Sequence, residues 1–109
     1  MVTCRLSDRA GAVQARLDAS SVPFALVVSD GGVLLGRVPA SELEGNPAES
    51  VEVLMDPGPK TYRPHKTARG VAQELVERGL QWALVTSPDG ELIGVVSRNS
   101  LEIAAEDGR

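Results

Sequence analysis

Histidine and cysteine, the residue types that most often act as nucleophiles, general bases or transition-metal ligands, occur once each in this chain. His65 and Cys4 are far apart in sequence and leave no ligand set of the usual kind, so the pattern indicates no metal site. His65 follows Pro64 and precedes a helix start, which favours a solvated loop histidine over a ligand or a general base. Cys4 cannot form an internal disulfide, and we interpret it as a small buried residue rather than a nucleophile.

The remaining polar residues form no catalytic motif. The chain has no Ser-His-Asp set, no phosphate loop ending in Gly-Lys-Ser or Gly-Lys-Thr, and no His-Glu-x-x-His. Gly31-Gly32 fits a hairpin turn better than a phosphate loop. Four acidic residues are expected mostly in turns or on a helix surface, where their charge is solvated: Asp89, Glu91, Glu102 and Glu106. The sequence therefore predicts no catalytic residues and no enzyme.

Charge and hydropathy exclude two classes of partner. The formal net charge is -4, and the Lys and Arg residues are scattered, whereas a protein that binds a phosphate backbone needs a basic face. No stretch approaches the roughly 20 apolar residues needed to cross a bilayer. No signal peptide precedes the first element, and the single cysteine fits a reducing compartment. We expect a cytoplasmic protein without nucleic-acid binding or direct membrane insertion.

The elements that must position any site are duplicated. Residues 3–44 align with residues 61–102 at a constant offset of 58 and without a gap, and fifteen of the 42 aligned pairs are identical. Ala25-Leu26-Val27, for example, recurs as Ala83-Leu84-Val85. Such a repeat fixes the unit of architecture. Because a domain of about 60 residues buries only about 60% of its unfolded surface, the two halves are expected to share one core.

Each repeat is predicted to run strand, helix, strand, strand, helix. In the second copy an extended segment, 61–64, precedes an amphipathic helix, and the strands Trp82–Thr86 and Leu92–Val96 flank a type I turn at 87–90. A short helix around Leu101 closes the unit. The apolar residues of the amphipathic helix fall at helical spacing: Ala68, Val71, Ala72, Leu75 and Val76.

The segment between the copies contains several helix and strand breakers. Gly45-Asn46-Pro47 is expected to end the last helix of the first copy. Val51–Met55 then leads into 56–59, whose Pro and Gly residues predict an ordered loop without regular structure. We place the first repeat at residues 1–50 and the second at residues 51–109, together forming one globular module.

These residues resemble a CBS domain, and the duplication resembles the tandem pair called a Bateman module. The resemblance covers essentially the whole chain and rests on Val53-Leu54-Met55-Asp56-Pro57, on Thr61-Tyr62-Arg63-Pro64 and on Gly94-Val95-Val96-Ser97-Arg98. The first copy lacks its lead-in, because Met1 aligns with Pro59, which suggests a fragment or a trimmed start. The fold implied is α/β (α+β), with two tandem β-α-β-β-α units packed around a pseudo-twofold axis.

The resemblance also implies a function. Such pairs are regulatory modules that often bind adenosine-containing ligands in clefts between the repeats, and they commonly dimerise into flat four-unit discs. It thus implies AMP, ATP or S-adenosylmethionine as a regulatory ligand, a homodimer, and a partner domain in a longer protein. The alternative is a dimerisation or interaction module with degenerate, non-binding clefts.

An adenosine ligand needs an apolar slot for its base, a carboxylate for the ribose hydroxyls, and a hydroxyl or cation near the phosphate. The family's motifs lie where the chain enters the second strand and leaves the third strand of each repeat. Carried over to this sequence together with the extended start of the second copy, they give these candidates: Phe24, Ala25, Glu42, Thr61, Tyr62, Trp82, Ala83, Ser97, Arg98 and Ser100.

Both sets of candidates depart from the family pattern. The first copy has Glu42 at the ribose position but Pro39 where a hydroxyl is expected. The second copy keeps Ser97 and Arg98 but has Ser100 where the carboxylate is expected. The first site is therefore the better candidate for ribose and the second for phosphate.

Several candidates have a structural alternative. Phe24 and Trp82 occupy equivalent positions, and each either walls an adenine slot or is ordinary core. Arg98 is either a surface residue at a helix start or a phosphate contact. Gly36 and Gly94 lie in the middle of predicted strands, which indicates a bulge or the close approach of another backbone or a ligand.

Overall fold

The computed structural model describes residues 1–107. The chain divides into two compact units, Met1–Pro59 and Lys60–Arg109. Both units contain the predicted order of strand, helix, strand, strand, helix, so the α/β fold expected from the sequence is confirmed. Within the described residues, none of the helices combines the length and the apolar character needed to cross a membrane.

The first unit contains a four-stranded sheet and three helices. Strand β1 pairs in parallel with β2, and β2 and β3 form an antiparallel hairpin. The two-residue strand β4 pairs antiparallel with the other edge of β3, giving the order β1-β2-β3-β4. The elements are β1 Val2–Cys4, α1 Ala10–Leu17, β2 Phe24–Val28, β3 Leu34–Pro39, α2 Ala40–Gly45, α3 Val51–Leu54 and β4 Asp56–Pro57.

The second unit repeats this arrangement with one strand and one helix fewer among the described residues. Its sheet has the order β5-β6-β7, again with one parallel pair followed by an antiparallel hairpin. The elements are β5 Thr61–Tyr62, α4 Ala68–Arg78, β6 Trp82–Thr86, β7 Leu92–Ser97 and α5 Arg98–Asp107.

The prediction of a loop without regular structure over 56–59 was wrong for its first two residues. Asp56 and Pro57 lie opposite Arg37 and Gly36 as strand β4. Proline is accepted here because β4 is an edge strand, the position in a sheet where proline is tolerated.

Helix α4 is bounded by signals that can be read in its sequence. Thr67 caps its first turn, since Oγ1 accepts a hydrogen bond from the Gly70 N–H at 3.0 Å. Gly79 ends the helix in the left-handed region, with φ 68°, which glycine adopts without steric cost. The helix buries Val71, Ala72 and Leu75.

The hydrophobic core of each unit lies between the helices and one face of its sheet. In the first unit the core is continuous and nearly inaccessible, and Val51 and Leu43 are both 0% exposed. In the second unit the core cluster is smaller and consists of Tyr62, Val71, Leu75 and Ala83, with Leu80 and Leu101 packed against it.

Candidate functional site

The register of the second sheet gathers four of the predicted site residues at one end of the unit. Trp82, the first residue of β6, lies opposite Ser97, the last residue of β7. Helix α5 begins at Arg98, whose backbone N–H donates to the Gln81 carbonyl at 2.8 Å. Ser100 follows in the first turn of this helix. We call Trp82, Ser97, Arg98 and Ser100 the β7–α5 cluster.

The polar groups of this cluster are organised but not buried. The hydroxyls of Ser97 and Ser100 are 2.9 Å apart, and the Ser100 N–H donates to Ser97 Oγ at 3.1 Å, as at a helix N-cap. Arg98 Nε is 3.3 Å from Glu102 Oε1, one turn further along α5. A partly exposed ion pair within one helix is weak, so little energy opposes the exchange of Glu102 for an anionic ligand.

The equivalent end of the first unit contains a different set of groups. Phe24 lies opposite Pro39, and Glu42 is exposed in the first turn of α2. The Arg37 guanidinium lies over the Phe24 ring, 5.3 Å from its centroid. Its Nε atom is buried and has no hydrogen-bond partner among the described residues.

Arg37 is a cation that sequence reasoning missed. Alternate residues of a strand share one face of the sheet, so Arg37 could have been placed on the same face as Pro39, two residues later, and as Phe24, which lies opposite Pro39 and diagonal to Arg37. It supplies a positive charge at the end of the first unit where Pro39 cannot supply a hydroxyl.

Three candidates direct their side chains into a hydrophobic core instead. Ala25 is 0% exposed and Ala83 is 1% exposed, and both lie on the helix-covered face of their sheets. Tyr62 packs with Val71 and Leu75 in the second core. Only the backbone of the two alanines is suited to contact a ligand at the sheet end. Their assignment as ligand-binding residues, like that of the other candidates, stays a prediction.

Thr61 lies with Tyr62 along a polar pocket of about 390 Å³ near the start of α4. The pocket is also lined by Lys60, Arg63, Lys66 and Glu74, and Lys60 Nζ lies 3.7 Å from Glu74 Oε2. Burial, with a smaller effect of the adjacent Glu74 carboxylate, raises the pKa of Tyr62 to about 12. Tyr62 in turn lowers the pKa of Glu74, with help from the nearby cations. This pocket does not contain the β7–α5 cluster.

A second, apolar pocket of about 320 Å³ opens into the core of the same unit. Neither pocket was predicted, because a cavity depends on which segments fail to meet in space. The aliphatic side chains that line this second pocket are Pro64, Ala68, Val71, Ala83, Val85, Ile93, Val96 and Leu101.

The two residues with reactive side chains take no part in these sites. Cys4 is 4% exposed, and its Sγ donates a weak hydrogen bond to the Leu26 carbonyl at 3.7 Å, which confirms its interpretation as a buried structural residue. His65 is exposed in the loop before α4, as predicted. Over residues 1–107, no three His, Cys, Asp or Glu side chains converge so as to hold a metal ion.

No protein-family model matches the sequence, and no curated protein matches it significantly. Solved structures do match its fold. The cytosolic domain of the Mg²⁺ channel MgtE in complex with ATP has a TM-score of 0.83 at 23% identity, over 94% of this chain and 44% of that one. The chain thus spans less than half of the MgtE structure.

This chain covers a larger share of two further solved structures. CBSX2 in complex with AMP has a TM-score of 0.83 at 24% identity, over 100% of this chain and 90% of that one. The cystathionine beta-synthase pair domain of the putative Mg²⁺ transporter SO5017 from Shewanella oneidensis MR-1 has a TM-score of 0.85 at 16% identity, over 99% of this chain and 66% of that one. At these identities the likeness establishes the fold.

Proposed function

The chain has the fold of a CBS domain pair, and we propose that it is a regulatory module that senses an adenosine-containing ligand and biases a partner domain. The observation that carries this proposal is the β7–α5 cluster, which places an aromatic ring, two hydroxyls and a guanidinium at one end of a sheet. The ATP and AMP complexes of two structures with the same fold support it. A homodimer, a cytoplasmic location, a partner domain in a longer protein and the absence of catalysis belong to the same proposal.

Each unit supplies part of the chemistry that a nucleotide requires. In the second unit, Arg98 is suited to a phosphate and Trp82 to stacking on the base, while the serine hydroxyls are suited to neutral hydrogen bonds. In the first unit, Glu42 is suited to accept from the ribose hydroxyls, and Arg37, stacked on Phe24, is suited to a phosphate.

The missing ribose acceptor in the second unit should make binding weak. Each hydrogen bond from a ribose hydroxyl to a carboxylate is worth about 1.5 to 3 kcal/mol. The loss of both hydrogen bonds therefore lowers the affinity by roughly a hundredfold or more. We therefore expect dissociation constants in the micromolar to millimolar range, equivalent to about 4 to 8 kcal/mol.

Titration calorimetry with AMP, ATP and S-adenosylmethionine tests the proposal. We expect Arg98→Ala to weaken the binding of ligands that carry phosphate. Arg69→Ala, on the exposed surface of α4, is the control and should leave their binding unchanged. Ser100→Asp should strengthen binding by supplying the ribose acceptor. Asn99→Asp adds the same charge at the neighbouring exposed position and should have no such effect.

Glu42→Ala tests the first unit, and Glu44→Ala on the same helix is its control. Loss of ribose-dependent binding in the first variant alone would support the role of Glu42. If neither the natural chain nor Ser100→Asp gives heat or a shift in melting temperature at millimolar ligand, the ligand-sensing function is wrong.

A module for dimerisation or interaction that has lost its ligand is the second candidate. Val76 on α4 and Ile103 on α5 are 56% and 52% exposed, which leaves apolar surface on the helices of the second unit. At the repeat offset they correspond to Asp18 and Gly45, so the first unit carries no such pair. This surface favours a twofold homodimer through the second unit's helices.

Sedimentation velocity at micromolar concentration tests this candidate. We expect a dimer for the natural chain and a shift to monomer when Val76→Ser and Ile103→Ser are combined. Val53→Ser, at a residue 68% exposed on α3, is the control and should leave the dimer intact. A monomeric natural chain would contradict the dimer.

A further inference from the structure

The polar pocket of about 390 Å³ lies between strand β5 and the first turns of α4. Strand β5 is an edge of its sheet, since β6 is its only neighbour among the described strands. All residues that line the pocket belong to the second unit. The charged ones are three cations and one carboxylate, so the pocket is net positive: Lys60, Arg63, Lys66 and Glu74.

One end of this pocket holds two buried polar atoms without hydrogen-bond partners. Tyr62 is 6% exposed, and its hydroxyl makes no hydrogen bond with the described residues. Glu74 Oε2 is also buried and has no hydrogen-bond partner among them. The Glu74 carboxylate is near enough to affect the pKa of Tyr62, but the two groups do not meet with the geometry of a hydrogen bond.

The protonation of Tyr62 defines what these two atoms can bind. Because burial raises its pKa to about 12, Tyr62 keeps its proton at neutral pH and can donate a hydrogen bond. The carboxylate of Glu74 can only accept one. Since buried polar groups in folded proteins nearly always have partners, the pair indicates a group that both accepts and donates, and a hydroxyl of a ligand does both.

The other end of the pocket favours an anion. It contains the first turn of α4, an 11-residue helix whose dipole is positive at this end, and Gly70 has no side chain that would cover the backbone there. Arg63 Nη1 donates to Thr86 Oγ1 at 2.7 Å, which fixes the guanidinium beside β5. Among residues 1–107, neither Arg63 nor Lys66 has a carboxylate within ion-pair distance.

The first unit fills the equivalent place with a carboxylate of its own. Asp8 Oδ2 accepts a hydrogen bond from the Arg5 N–H at 3.0 Å and lies 4.0 Å from Arg16 Nη2. At the repeat offset, Asp8 and Arg16 correspond to Lys66 and Glu74. The second unit therefore has a cation where the first has its anion, which leaves the place for an anion from outside the chain.

The buried polar end is specific to the second unit. Lys60 Nζ lies 3.7 Å from Glu74 Oε2 and 5.3 Å from the centroid of the Tyr62 ring, so it holds the two groups together. The first unit has Val2 and Cys4 at the positions of Lys60 and Tyr62, and it lacks both the cation and the hydroxyl.

We propose that this pocket binds a small phosphate monoester that carries hydroxyl groups, a phosphorylated polyol. Its phosphate lies between Arg63, Lys66 and the start of α4, and one of its hydroxyls accepts from Tyr62 and donates to Glu74. Two cations and a helix N-terminus suit the double charge of a phosphate better than the single charge of a carboxylate. The volume is near the lower limit of small-molecule sites, which favours a ligand of a few carbon atoms.

This inference is independent of the proposed adenosine site, because the β7–α5 cluster is not part of the pocket. Titration of the full chain with glycerol 3-phosphate tests it. We expect saturable binding with a dissociation constant of about 1 mM or lower, and amide shifts in NMR spectra at Tyr62, Thr67 and Gly70. Inorganic phosphate should bind at least about tenfold more weakly, glycerate more weakly than the phosphate ester, and glycerol without saturation.

Tyr62→Phe is the decisive variant because it removes only the buried hydroxyl. We expect binding of glycerol 3-phosphate to weaken at least about tenfold, whereas binding of inorganic phosphate, which occupies only the cationic end, stays unchanged. The melting temperature of the free chain should be unchanged or higher, because the lost hydroxyl has no partner. A hydroxyl with a purely structural role would lower the melting temperature and leave ligand binding as it was.

Lys66→Gln tests the cationic end. Lys66 is exposed, so we expect a folded chain that binds both glycerol 3-phosphate and inorganic phosphate more weakly and with less dependence on salt. Arg5→Gln is the control, since it removes one positive charge from the equivalent turn of the first unit, and it should bind both normally.

Four results would overturn the proposal. The first is no saturable binding of glycerol 3-phosphate at about 10 mM, and the second is equal affinity for this ester and inorganic phosphate, which would mean an adventitious ion only. The third is undiminished binding by Tyr62→Phe. The fourth is a set of shifts confined to residues 97–100, which would place the ligand at the β7–α5 cluster. Tighter binding of glycerate than of the phosphate ester would contradict the choice of phosphate.

Discussion

Glu42 and Ser100 occupy equivalent positions of the two repeats and differ in charge. Under the proposed function, that difference predicts ribose recognition in the first unit, and Ser97 and Arg98 predict phosphate recognition in the second. Both positions lie in the first turn of a helix, and both residues are exposed, so either can be changed without disturbing a core. Substitutions there test binding with little effect on stability.

Cys4 allows a prediction about reactivity. Burial, with a smaller contribution from the Asp8 carboxylate, raises the pKa of Cys4 to about 11 from an ordinary 9.0. The thiolate fraction at neutral pH is then about a hundredfold lower than in the unfolded chain. We expect iodoacetamide to label native Cys4 at least about a hundredfold more slowly than the chain in urea. Equal rates would contradict a buried, neutral thiol.

The same shift predicts a dependence of stability on pH. The folded chain keeps the Cys4 proton up to about pH 11, whereas the unfolded chain releases it near pH 9.0, so unfolding releases a proton between these values. The free energy of unfolding should therefore fall as the pH rises from about 9 to about 11. Tyr62, whose pKa is raised to about 12, acts in the same direction at higher pH. Urea unfolding across this range measures the effect, and Cys4→Ala should reduce the slope.

At the scale of elements, the short strand β4 distinguishes the two units. It has only two residues, yet with α3 it covers Gly36 and completes the first core. The corresponding edge of β7 carries no such strand among the described elements. Identical glycines on two equivalent strands therefore have different structural roles.

Gly36→Ala and Gly94→Ala form a matched pair that measures this difference. In β3 the added methyl group would force Met55 and the Asp56 carbonyl to move, so we expect a loss of about 1 to 3 kcal/mol. In β7 the methyl group meets open space, and we expect a change within about 0.5 kcal/mol or a small gain. Urea unfolding of both variants gives the comparison. Equal losses would mean that β4 does not constrain β3.

At the scale of the whole molecule, size limits what each unit can do alone. A domain of about 50 to 60 residues buries only about 60% of its unfolded surface and is marginally stable. The second unit has, in addition, an apolar pocket that opens into its core. The shared core and the pseudo-twofold packing expected from the repeat stay predictions that fragments can test.

We expect residues 60–109 expressed alone to lack the cooperative thermal transition of the full chain. Residues 51–109, a fragment that starts at the predicted repeat boundary, should also lack this transition, because Val51–Pro57 packs in the first unit. Residues 1–59 should be better structured than residues 1–50, which lack the buried Val51. Circular dichroism melts compare the four fragments. A second unit as stable alone as the full chain would refute the shared core.

The sequence by itself determined the repeat, the order of the elements and the burial of Cys4. These features follow from local periodicity and from residue types, which act over a few positions along the chain. The candidate ligand residues were implied by the resemblance to a CBS domain, and the repeat only relates the candidates of one unit to equivalent positions of the other; their roles stay predictions.

Only the tertiary structure decided where the segment between the repeats packs. From its sequence Val51–Pro57 introduces the second repeat, but its backbone pairs with β3 and its apolar side chains fill the first core. Which sheet edge a segment reaches depends on chain geometry, and the two repeats present nearly the same pattern, so no local signal distinguishes them. The stacking of Arg37 on Phe24 and the open space beside Gly94 are likewise products of contacts between residues distant in sequence.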